Sequence, residues 1–181
     1  MNLPNRLTLA RLFLIPVFLL IASCKFFYTD AIAAAVFVLG AVTDGLDGYY
    51  ARKNKQVTLL GKFMDPLVDK LLISAALVVL VELGRLPGWI AVVIISREFA
   101  VTGLRSIAAI EGVIIPASKL GKIKNVTQII AITAIFLRDF PFSLIHLPFG
   151  SIAMAVALFF TLWSGLDYFN KTWKLLKKDG Y

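Results

Sequence analysis

Residues 31–52 read AIAAAVFVLGAVTDGLDGYYAR. From Ala31 to Val42 every residue is apolar or small, which suits a helix crossing a hydrocarbon layer. Then Asp44 and Asp47 arrive within one turn of each other. An ionisable residue inside a span costs about 2.5–3.5 kcal/mol on insertion scales, so two acids here point to function. The stretch therefore reads as a membrane helix with an acidic site at one end.

Five further stretches share its apolar character. The six lie at about 8–25, 31–51, 66–84, 87–110, 122–138 and 148–170. The chain has 181 residues, 59% of them hydrophobic, where soluble domains run at about 45–50%. The reading is an all-α integral membrane protein with six transmembrane helices and a single domain over residues 1–181. Residues Asn2 to Arg11 read either as a short interfacial helix or as the start of the first span. That first stretch is longer than a signal-peptide core and is expected to be retained. The lone Cys24 excludes a disulfide framework within the chain.

The net charge of +8 reads as a membrane orientation signal or an anionic substrate, not as nucleic-acid binding. Six spans put both termini on one side. That side collects Arg6, Arg11, Arg52, Lys53, Lys55, Lys62, Lys70, Arg97, Arg105, Lys119, Lys122, Lys124, Lys171, Lys174, Lys177 and Lys178. The other side keeps Lys25, Arg85 and Arg138. Such an asymmetry makes the termini and the acidic site cytoplasmic, in a multi-pass protein whose last lysines rest on anionic headgroups.

The third stretch opens with Asp65-Pro66-Leu67-Val68-Asp69-Lys70, and Pro66 is expected in its first turn. Helical spacing pairs Asp44 with Asp47 and Asp65 with Asp69. Two helices joined by a short loop bring both pairs to one depth. Four converging carboxylates repel one another and call for cations. Oxygen ligands without His or Cys favour magnesium, manganese or calcium, and four suffice for two ions, an arrangement suited to displacement at phosphorus. Gly48 and Ala51 leave room for a ligand, and Arg52 suits a phosphate. On the bland side, Asp65 reads as an N-cap and Arg52 as an ordinary cytoplasmic charge.

The pattern Asp44-x2-Asp47-Gly48-x2-Ala51-Arg52-x8-Gly61-x3-Asp65-x3-Asp69 resembles the signature of the CDP-alcohol phosphatidyltransferase family at every fixed position. The likeness extends to Asn2-Leu3-Pro4-Asn5-x2-Thr8-x2-Arg11, to Arg97-Glu98-Phe99-x2-Thr102-Gly103-Leu104-Arg105 and to Leu120-Gly121-Lys122-Ile123-Lys124. The resemblance implies a six-helix membrane enzyme of the bacterial cytoplasmic membrane, usually a homodimer. It implies two divalent metals, Mg2+ or Mn2+, on the four aspartates, with Asp69 also acting as general base. The donor would be CDP-diacylglycerol, the leaving group CMP and the acceptor sn-glycerol 3-phosphate. Gly48, Ala51, Arg52 and Thr58 would line the cytidine diphosphate site, with Asn5 and Thr8 closing over it.

An acceptor with its own phosphate needs a second cationic pocket. Arg97 and Arg105, two turns apart on one helix face, and Lys122 are the choices, with Lys119 in reserve. Glu98 is expected to face away from Arg97. His146 reads as a surface residue and Asp167 as one half of a structural ion pair. The nearest rival changes the acceptor to phosphatidylglycerol or serine. A rival of another class, a carboxylate-rich cation transporter, would place its acids near the bilayer midplane.

Overall fold

The computed structural model describes residues 3–24, 26–54, 59–110 and 118–178, with side chains described at 10–24, 26–43, 68, 70–108, 118 and 120–170. Among the described residues six α-helices follow one another: α1 (Leu3–Ser23), α2 (Thr29–Asn54), α3 (Leu59–Glu82), α4 (Gly88–Ile110), α5 (Lys119–Phe136) and α6 (Phe149–Lys178). A single 3-10 turn, Phe142–Ile145, sits before α6, and no strand occurs among the described residues.

Each expected apolar stretch forms one helix, but several helices start earlier than the apolar residues do. Leu3 to Arg11 continue unbroken into α1, so the N-terminal segment begins the first helix and forms no separate one. Pro4 stands in the first turn, where a missing N–H costs nothing, and Pro16 is carried inside the helix. Helix α3 begins at Leu59, which places Pro66 inside it and not in its first turn. The same fact removes the N-cap reading of Asp65, because a cap stands outside the helix it closes. The end of α3 is a Schellman turn. Gly84 takes a φ of 68°, Gly84 N donates to the Val81 carbonyl, and Arg85 N donates to that of Leu80 (2.9 Å each).

Helices α5 and α6 pack along each other, α1 lies against α2 and α3, and α4 against α3 and α6. Helices α2 and α3 are in contact, as the short loop between them led one to expect. The core is aromatic at its centre, where Phe18 meets Phe136 edge-on at 5.7 Å and Phe37 at 6.3 Å. Leu72, Leu77, Leu80, Ile94 and Ile132 complete it. Gly40 lets α2 approach closely, since a Cβ there would stand 2.6 Å from Leu72 Cδ2 and 3.0 Å from Leu14 Cδ2.

The outside of this bundle is apolar and part of its inside is polar. Phe13, Leu20, Leu39, Val92 and Leu166 are exposed. Arg11, Glu98, Lys124, Gln128, Thr161 and Ser164 are buried. Among the described residues, Phe149–Asn170 is long and apolar enough to cross a membrane, while Ala10–Ser23 and Thr29–Thr43 are shorter apolar stretches.

At one end of the bundle, Asp30 in the first turn of α2 joins two connections. Its Oδ2 accepts from Arg85 Nη2 at 2.9 Å and from Arg138 Nε at 2.8 Å. These bonds tie the α3–α4 and α5–α6 loops to the start of α2. His146, in the α5–α6 loop, is exposed, as its surface reading held.

Candidate functional site

A cavity of about 250 Å³ opens between the helices, and every one of the six contributes to its wall. Cations dominate it: Arg11 from α1, Lys70 from α3, Arg97 and Arg105 from α4, Lys122 and Lys124 from α5. Glu98 is the one acid among the described residues of the lining. The spacing of eight between Arg97 and Arg105 puts both on the cavity side of α4, with Val101 between them. Lys122 joins them from α5, so the three cations expected to form one pocket do line one pocket.

The start of α5 explains how Lys122 comes to be there. Ser118 caps the helix with extended backbone (φ −77°, ψ 151°), and its Oγ accepts from Gly121 N at 3.0 Å. Ser118, Gly121 and Lys122 all face the cavity. Helix N-termini attract anions through unpaired N–H groups and the helix dipole. Lysines in a first turn oppose that dipole unless an anion sits between them, which makes this wall suited to phosphate.

Arg97 is held on three sides. Its Nε donates to the Thr161 carbonyl at 3.2 Å, Nη2 to Ser164 Oγ at 2.7 Å and Nη1 to Glu98 Oε1 at 3.2 Å. Gly165 makes the crossing under α6 possible, because a Cβ there would stand 3.3 Å from Arg97 Cγ. The contact with Glu98 corrects the expectation that this acid turns away. Successive helix positions diverge by about 100°, but an arginine stem is long enough to swing its guanidinium back to its neighbour. Glu98 Oε1 also accepts from the buried Lys124 Nζ.

The four aspartates fall on the two helices that border this cavity. Asp44 and Asp47 belong to α2, Asp65 and Asp69 to α3. Asp44 follows Gly40 by four residues, and Asp69 precedes Ile73 by four, where Gly40 and Ile73 line the cavity. The aspartate side chains lie outside the described ones, and among the described residues no group of three metal-ligating side chains occurs. Asn5 and Thr8 lie on α1, and Gly48, Ala51 and Arg52 on α2, with side chains likewise outside the description. Lys119 is the first residue of α5, its side chain also undescribed, and Thr58 falls outside the described residues altogether.

Arg11, Lys70 and Lys124 also line this wall, although sequence reading assigned them no binding role beyond their cytoplasmic charge and their place in the quoted stretches. Lys124 carried a signal, being a charge inside an apolar span. Thr161, Ser164 and Gly165 carried none, since neutral residues in an apolar helix draw no attention.

A family model for CDP-alcohol phosphatidyltransferase matches residues 1–163. The chain is 48% identical to the CDP-diacylglycerol–glycerol-3-phosphate 3-phosphatidyltransferase of Bacillus subtilis (strain 168), over 97% of each chain. It is 38% identical to the protein of the same name from Pseudomonas fluorescens, over 99% of this chain and 94% of that one. It is 41% identical to a probable phosphatidylglycerophosphate synthase of Mycobacterium tuberculosis (strain ATCC 25618 / H37Rv), over 92% of this chain and 79% of that one. With a family match over most of its length and likenesses that run nearly end to end, the chain belongs to the CDP-alcohol phosphatidyltransferase family.

Proposed function

We infer that this protein is a CDP-diacylglycerol–glycerol-3-phosphate 3-phosphatidyltransferase. It moves the phosphatidyl group of CDP-diacylglycerol to sn-glycerol 3-phosphate, releases CMP and forms phosphatidylglycerophosphate. The observation that carries this reading is the meeting of Arg97, Arg105 and Lys122 in one cavity bordered by the aspartate-bearing helices. A neutral acceptor such as serine would not need that concentration of positive charge.

The same reading places all six helices in the bacterial cytoplasmic membrane. Apolar side chains on the outside and charged ones inside reverse the pattern of a water-soluble bundle, and lipid is the solvent that suits them. The charge asymmetry sets the cavity and both termini on the cytoplasmic side. There the soluble acceptor arrives from water while the donor's acyl chains stay in the bilayer. A homodimer belongs to the same reading.

Two divalent ions suit the chain on donor chemistry. Asp65 stands inside α3 and is therefore not committed to capping it, and the four aspartates occupy i, i+3 and i, i+4 positions of touching helices. Asp44, Asp47, Asp65 and Asp69 would hold Mg2+ or Mn2+, which when bound neutralises the diphosphate and the charge growing on the departing CMP.

The chain's own residues do the rest. Arg105, Lys122 and the pinned Arg97 hold the acceptor's phosphate and fix its reach, with Lys119 in reserve. That orientation replaces a chance encounter by a positioned one. Asp69 takes the proton from the C1 hydroxyl as its oxygen attacks the phosphatidyl phosphorus. The bond from that phosphorus to the CMP oxygen breaks, and the electron pair leaves with CMP. An aspartate is a weak base, with a usual pKa of about 3.9, so positioning and charge must supply much of the rate. Gly48, Ala51, Arg52 and Thr58 would line the cytidine diphosphate site, with Asn5 and Thr8 closing over it.

Purified protein in detergent, given CDP-diacylglycerol and magnesium, should release CMP with glycerol 3-phosphate and not with serine, inositol or phosphatidylglycerol. Release with one of those three instead would overturn the acceptor assignment.

A further inference from the structure

An acid in the wall of an anion pocket repels the ligand, so Glu98 calls for a reason. It is buried, with 8% of its side chain exposed, and it faces the cavity. One oxygen, Oε1, accepts from both Arg97 Nη1 and Lys124 Nζ. Lys124 has 2% of its side chain exposed, and Glu98 is its only acceptor among the described residues. Arg97 and Lys70 both repel Lys124. Two cations buried side by side stay in place only when an anion bridges them, because unpaired charge in a low-dielectric wall is strongly unfavourable.

We propose that Glu98 is a positioning residue for the acceptor: its carboxylate locks Arg97 and Lys124 together and so sets where the guanidinium meets the acceptor's phosphate. The proposal rests on the reading of this cavity as the acceptor site. The opposite flank of Arg97 is fixed by α6 through Ser164, the Thr161 carbonyl and the gap at Gly165. Glu98 thus closes a frame in which α4, α5 and α6 share one arginine. A planar, forked donor gains from such a frame, because its bidentate grip on phosphate depends on orientation.

The test compares wild type, Glu98→Gln and the double variant Glu98→Gln/Lys124→Met in steady-state CMP release. Glu98→Gln should raise KM for glycerol 3-phosphate about tenfold, the scale of one misplaced charge-assisted hydrogen bond, while KM for CDP-diacylglycerol stays within about twofold. The double variant buries no unpaired lysine, so it keeps the comparison readable even where the single variant folds poorly. It should show the same selective rise, because Arg97 still lacks its carboxylate. An unchanged KM for glycerol 3-phosphate in the double variant would overturn the proposal, and so would an equal rise in both KM values. If wild type itself released no CMP with glycerol 3-phosphate, the function would fall first and the proposal with it.

Discussion

The two ends of the bundle solve the same electrostatic problem with opposite results. At the end away from the cavity, Asp30 Oδ2 holds Arg85 and Arg138. At the cavity, Glu98 Oε1 holds Arg97 and Lys124. Each cluster bridges two cations through one carboxylate oxygen and joins segments distant in sequence. The first is wet, with 73% of the Arg138 side chain exposed, and it closes on itself as a tie between loops. The second is buried and belongs to a wall with four further cations and no further acid among its described residues. Both clusters keep one positive charge in excess; the first leaves it to solvent at a loop tie, and the second adds it to a surplus of the same sign around a cavity.

The strongest way to sharpen that contrast is to remove the chemistry and leave the pocket. Asp69→Asn should lower the rate of CMP release by a factor of about 10²–10⁴, the range for losing a positioned base. It should do so without changing KM for glycerol 3-phosphate. Retained activity would sink the base assignment.

The Asp30 end should respond in stability alone. Asp30→Asn should lower the unfolding temperature by a few degrees, on the order of 1 kcal/mol for a partly exposed cluster, with both KM values unchanged. A rise in either KM would break the division between the two ends. The pH dependence follows from the same geometry. Burial by itself would raise the Asp30 carboxyl, but the hydrogen bonds and charges of Arg85 and Arg138 more than offset that and hold it below the ordinary 3.8. A depressed carboxylate contributes stability that is present above its unfolded pKa and is lost as pH falls through the folded one. The difference in unfolding temperature between wild type and Asp30→Asn should therefore stay flat from neutrality down to about pH 5 and close only in stronger acid. A difference that closed between neutrality and about pH 5 would contradict the ion-pair account.

The smallest effect is expected at α6. Gly165→Ala puts a methyl 3.3 Å from Arg97 Cγ, so the arginine must shift by a few tenths of an ångström. KM for glycerol 3-phosphate should rise about threefold, since small misplacements of a positioning group weaken its hold. An unchanged value would mean that α6 carries Arg97 without setting its position.

Six apolar stretches became six helices because each buries its backbone hydrogen bonds internally whatever its ends contain. Their starts at Leu59 and Lys119 were not legible from apolar content, because polar residues continue a helix that projects beyond the apolar zone. Arg97, Arg105 and Lys122 were legible because charge in an apolar run stands out and a spacing of eight keeps one face. Glu98 was misread because adjacency on a helix was taken to fix where a long neighbour points. The hold of Ser164 and the Thr161 carbonyl on Arg97 spans more than sixty residues of chain, and no local pattern encodes it.

Reception of the acceptor's phosphate by the cationic cavity stands or falls with Arg105. It lines the cavity yet is exposed, so its removal leaves no buried vacancy. At saturating CDP-diacylglycerol, Arg105→Ala should raise KM for glycerol 3-phosphate at least about tenfold, the scale of one charged contact to phosphate, with KM for CDP-diacylglycerol unchanged. A wild-type KM for glycerol 3-phosphate in that variant would contradict the account.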